Sequence, residues 1–215
     1  MTTNQILKTL ETKDIADFEK VWNELNNNFT EKDKQNLLTE IVDYHYSDKY
    51  FSFYVKVFDK ILYSKVSLDF NINNWAPTFL SLVIMKASPS LFDYFLRKAA
   101  NINFIGDKYA FETEEIIKQE TEEMGIERYA TCLDFAEQKL ADKLTVDYNY
   151  AVPELSEQTI SWRDINPTEE ITIKKQEYYN LVEQSHYLHD LIQTEKLVDH
   201  IKSLGGKTYK QLKAK

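Results

Sequence analysis

A single cysteine, Cys132, excludes an internal disulfide framework and any zinc site built on several cysteines. Glycine and proline are scarce too, at four residues each in 215. A sandwich or barrel with many tight turns needs more of both, so the scarcity favours helices. No apolar run approaches the roughly 20 residues of a membrane span. The opening Met1-Thr2-Thr3-Asn4-Gln5 lacks the basic and apolar stretches of a secretory signal. The expectation is a cytoplasmic protein. Basic residues are outnumbered, 26 Lys and Arg against 35 Asp and Glu, for a formal net charge of −9. That balance disfavours nucleic acid, whose phosphates need clustered cations. It keeps a chain soluble, and it can also steer in a basic protein.

Catalytic signatures are missing as well. There is no Gly-x-Ser-x-Gly, no phosphate loop, no Gly-x-Gly-x-x-Gly and no His-Glu-x-x-His. The sequence therefore implies no cofactor and reads as a non-enzyme. What is present is a globular composition, 43% hydrophobic and 28% charged, long enough for one core or a short repeat array. A single domain over 1–215 is expected.

Three segments share a pattern: Val57-Phe58-Asp59-Lys60-Ile61-Leu62, Leu91-Phe92-Asp93-Tyr94-Phe95-Leu96 and Leu197-Val198-Asp199-His200-Ile201-Lys202. Apolar residues at i, i+1 and i+4 form one stripe of a helix, with the aspartate pointing away from it. Thr78-Phe79-Leu80-Ser81-Leu82-Val83 and Thr131-Cys132-Leu133-Asp134-Phe135-Ala136 share a second pattern. Ala99-Ala100-Asn101-Ile102-Asn103 follows one second helix, and Gly205-Gly206-Lys207-Thr208 follows the last.

In these residues the chain resembles the ankyrin-repeat family, whose pattern runs Thr-Pro-Leu-His-x-Ala, a short turn, an apolar second helix, then Gly-Ala-Asp/Asn-Val-Asn. The best match covers 76–103, with fragments at 131–136 and 197–208. Phe79 and Cys132 stand where that family has proline, Ser81 and Asp134 where it has histidine, and Ala99 where it has glycine. The resemblance implies an all-α fold of stacked antiparallel helix pairs that serves as a recognition platform.

Helical periodicity predicts a first pair over 4–10 and 14–25, then a helix start at Thr30-Glu31-Lys32-Asp33 leading into Leu37, Leu38, Ile41 and Val42. A helix over 50–63 turns Phe51, Tyr54, Val55, Phe58, Ile61 and Leu62 inward, and a third pair spans 77–87 and 90–98. Two insertions interrupt the period. The first, 107–128, is an acidic helical segment carrying Glu112, Glu114, Glu115, Glu120, Glu122 and Glu123. In the second, 144–166, Val146, Tyr148, Tyr150 and Val152 alternate with polar or small residues, which predicts a hairpin or extended arm packed by Trp162. Helices are then expected from 166 to 193 and from 195 to 204, the last stopped by Gly205 in a left-handed cap.

Candidate chemistry is sparse. His186, His189 and Asp190 share one helical turn and could converge on a metal, but no third strong ligand has recognisable spacing. Cys132 could be a nucleophile, yet it sits where a repeat helix needs a small buried residue, so an inert thiol is expected. Asp43 and His45, beside Tyr44 and Tyr46, mix acid, base and aromatics, but positions two apart on a helix diverge. The aromatics from Tyr44 to Tyr54 read as core, with outward tyrosines free to anchor an interface.

The expected function is protein–protein interaction through the insertions, with Glu112, Glu114, Glu115, Glu120, Glu122, Glu123 and Trp162 as contacts. The expected partner is a basic protein such as a bacterial toxin held in an immunity-type complex, with no membrane or nucleic acid. The alternative is a small metal-dependent or hydrolytic enzyme whose site is assembled from dispersed residues.

Overall fold

A computed structural model describes residues 2–72, 76–144 and 186–214. The chain is mostly helical, and several of its helices start on hydroxyl or acidic caps. Helix α1 spans Thr2–Thr9 and α2 spans Ile15–Leu25, where the Asp14 carboxylate accepts from the Ala16 amide. Helix α3, Glu31–Glu40, opens on a reciprocal box: the Thr30 hydroxyl accepts from the Asp33 amide, and the Asp33 carboxylate accepts from the Thr30 amide. A wider π-type turn, Ile41–His45, extends it. Helix α4 is Phe51–Leu62, α5 is Phe79–Met85 behind the Thr78 cap, and α6 is Pro89–Arg97 behind Ser88. Strand β1, Gly106–Asp107, helix α7, Glu114–Lys118, and strand β2, Tyr129–Ala130, lead to α8, Cys132–Leu144. Helix α9 is His186–Ser203 and α10 is Tyr209–Lys213, opened by a second reciprocal box between Thr208 and Gln211.

The apolar stripes meet in a single core. Phe18, Leu37, Tyr54, Phe58, Phe79, Phe92, Phe95, Leu197 and Ile201 are all buried in it. Aromatic contacts join the helices: the Phe58 ring lies 5.1 Å from Phe95, Phe95 lies 4.8 Å edge-on from Phe79, and Phe92 lies 6.4 Å from His200. Such pairs add specificity beyond their area. Phe58 and Phe92 are both fully buried, as the shared pattern predicts.

Polar bonds connect the elements at recurring positions. On one side, Lys60 reaches Glu19 at 2.8 Å, Tyr94 donates to Asp59 at 2.8 Å, and His200 meets Asp93 at 2.6 Å. On the other, Lys86 after α5 donates to the Asp43 carbonyl, and Lys139 on α8 donates to the Met85 carbonyl at 2.9 Å. A third series joins the turns. The Ser67, Asn101 and Lys207 amides donate to Glu31, Asp69 and Asn103 at 2.9, 2.8 and 2.8 Å. Each donor sits two residues after a left-handed residue, Lys65 (φ 57°), Ala99 (φ 68°) or Gly205 (φ 82°).

Several expectations need correction. The 107–128 insertion is helical only from Glu114 to Glu123; its ends form the short antiparallel pair β1–β2, with Gly106 opposite Ala130. The predicted break near Thr194 is absent, because Thr194 is itself buried inside a continuous α9 and neither glycine nor proline interrupts it. On α4, Val57 is fully buried, while Phe51, Val55 and Leu62 are only half-buried. Leu144 closes α8 rather than opening the arm, and 145–166, Trp162 included, lies outside the described residues. Among the described residues no helix is long and apolar enough to cross a membrane.

Candidate interaction site on the insertion

The insertion is held at its base. The Arg128 guanidinium grips Asp107 through two donors, Nε at 3.1 Å and Nη2 at 2.8 Å to Oδ2, and the Lys108 amide donates to the Arg128 carbonyl at 3.0 Å. These bonds from Arg128 hold the Asp107 carboxyl below the usual carboxylate range. Gly106 is required here. A Cβ on it would stand 2.4 Å from the Pro77 carbonyl oxygen, so only glycine lets β1 lie against the α5 entry.

Beyond the base, α7 and a π-type turn, Gln119–Glu123, carry the acids. Glu114, Glu115, Glu122 and Glu123 are exposed, whereas Glu112 and Glu120 are half-buried. Glu120 accepts from the Tyr109 hydroxyl at 2.7 Å, and burial together with that bond pushes the phenol up to about 12. Among the described residues none of the six glutamates joins an ion pair. Apolar side chains stand among them unburied: Phe111 is 63% exposed and Met124 64%, with Ile105, Ile116 and Ile126 also exposed. Lys32 on α3 lies over the Phe111 ring at 5.6 Å, which ties the insertion to the α3 start.

Between the insertion and α8 runs a groove of about 620 Å³. Lys108, Tyr109, Glu120, Ile126, Glu127 and Tyr129 line it from the insertion; Asp134, Phe135, Gln138 and Asp142 line it from α8; Pro77 and Ala130 complete it. Asp134 is fixed as a cap, accepting from the Thr131 amide at 2.8 Å and the Tyr209 amide at 2.7 Å.

The other candidates do not assemble into chemistry. Cys132 is buried, its thiol donates to the Ile102 carbonyl at 3.3 Å, and burial pushes it up to about 12, as an inert packing thiol requires. Asp43 turns to Lys86 at 3.3 Å rather than to His45, whose carbonyl accepts from Tyr54. Tyr46 donates to Asp48 at 2.6 Å, and burial holds its phenol well above the usual range. Tyr44, 75% exposed, is the outward tyrosine of that cluster. His186, His189 and Asp190 fall on the first turns of α9, but their side chains lie outside the described residues. Among the described residues no three His, Cys, Asp or Glu side chains gather as a metal set.

Sequence reasoning found the acids but missed β1–β2, the Asp107–Arg128 clasp and the groove. One of only four glycines at 106, and an arginine at the far end of the acidic run, were the available signals. Comparison with protein-family models, curated proteins and solved structures returns no match for this chain.

Proposed function

We propose that this chain is a protein-interaction module, an ankyrin-like array of helix pairs that presents the 107–128 insertion to a basic protein partner. The observation that carries the reading is the exposure of Phe111, Met124 and Ile126 on a clasped insertion, among glutamates that form no ion pair among the described residues. A monomer gains nothing by leaving such side chains in water, whereas an interface uses apolar anchors inside a charged rim. The array is supported by the three bond series. Glu19, Asp59 and Asp93 each receive a bond from the next second helix, and the Asn101 and Lys207 amides each use an acceptor two residues past the preceding donor. Four pairs, α1–α2, α3–α4, α5–α6 and α8–α9, with α10 as a final first helix, fit that scheme. The partial match to the ankyrin pattern fits it as well: Ala99, at φ 68°, stands where the family places glycine.

A basic toxin held in an immunity-type complex is one partner of this chemistry. Crosslinking mass spectrometry on complexes formed by the tagged chain in its native host tests the proposal. The expected result is a partner of net positive charge crosslinked through Lys108 or Lys118, the insertion lysines. A chain that remains alone, or crosslinks confined to Lys8 and Lys20 at the α1–α2 end, contradicts it.

A further inference from the structure

We infer that the groove between the insertion and α8 receives an extended peptide segment of the partner carrying an arginine or lysine beside an apolar residue. This rests on the interaction-module reading and specifies what that module grips.

The argument begins with α8. Asp134, Gln138 and Asp142 are spaced i, i+4 and i+8, so they form one row along the helix. Eight residues of helix advance about 12 Å, which matches about four residues of extended chain at roughly 3.3 Å each. A volume of about 620 Å³ suits an occupant of that size. Both walls supply the recognition chemistry. Glu120, Glu127 and Asp134 meet no cation among the described residues; Glu120 is bonded only by a phenol and Asp134 only by a hydroxyl and backbone amides. Among the described residues Lys108 is the one cation in the lining. These carboxylates lie beside Tyr109, Ile126, Tyr129 and Phe135, which offer ring faces and an aliphatic surface. A guanidinium can donate hydrogen bonds to carboxylates while stacking on an aromatic, and a neighbouring apolar side chain covers Ile126. A phosphate or an anionic membrane surface would meet repulsion from the same carboxylates.

The probe is a phage library of random twelve-residue peptides selected against the full chain, followed by fluorescence anisotropy of the enriched sequences. The expected peptides carry net positive charge, with Arg or Lys within two positions of an aromatic or aliphatic residue. Their affinity should fall about 10-fold or more in the double variant Glu127→Lys with Gln138→Lys. Both positions are exposed, so circular dichroism should stay that of the parent. Glu127→Gln, which preserves shape, should weaken binding about 3-fold. Enriched peptides that are neutral or acidic, an absence of enrichment, or unchanged affinity in the double variant overturns the inference. Basic peptides whose binding is lost only when Glu114 and Glu115 become lysine also overturn it, but leave the interaction module standing, with its contact on the outer face of α7.

Discussion

At Ala99 and Lys65 a side chain sits in the left-handed region, at φ 68° and 57°, where an L-residue is strained by about 1–2 kcal/mol. Both are exposed, so nothing packs against the Cβ to compensate. Ala99→Gly and Lys65→Gly should each raise stability by about 1 kcal/mol, after the larger entropy loss of glycine is subtracted. That corresponds to a Tm gain of about 2–4 °C in a chain of this size. Phe58 and Phe92 lie at the opposite extreme. Each is fully buried among rings, and truncation to Ala should cost about 3–5 kcal/mol in denaturant unfolding. A loss below about 1 kcal/mol at either would show that its stripe does not form the core.

Among the elements, the insertion depends on a clasp that the helices do not share. The folded carboxyl of Asp107 sits below its ordinary value because of Arg128. Its contribution is therefore complete above the unfolded value of about 3.9 and is lost as pH falls through the lower folded value. From pH 7 to 5 the β1–β2 pairing should not change; below about pH 4 it should loosen. Asp107→Asn should mimic the acid state at neutral pH. Amide exchange at Lys108 and Tyr109 should then accelerate on the order of tenfold while α4 and α6 amides keep their rates. A uniform change over all elements would mean that the insertion is not a separate unit. The helix start at Thr30 was legible in the sequence because a capping hydroxyl and its partner three residues later are local signals. Thr208 and Gln211 carried the same signal and went unread. The clasp was illegible for a different reason. Two-residue strands have no period to detect, and Asp107 and Arg128 meet across 21 positions, so the lone arginine after the acidic run did not name its partner.

For the whole molecule, the net charge of −9 served solubility and left room for a basic partner, but composition could not say which face would carry a contact. The fold concentrates exposed Glu114, Glu115, Glu122 and Glu123 with Phe111 and Met124 on one insertion and sets a groove beside it. On such a surface, charge governs the rate of encounter and apolar anchors govern dissociation. The most direct measurement is the association rate constant of the captured partner, taken at low salt for the parent chain and for the variant with all four exposed glutamates changed to lysine. The account predicts a fall of about 10-fold or more, a flattened salt dependence and an unchanged melting temperature. An unchanged association rate, with the same salt dependence as the parent, would contradict it.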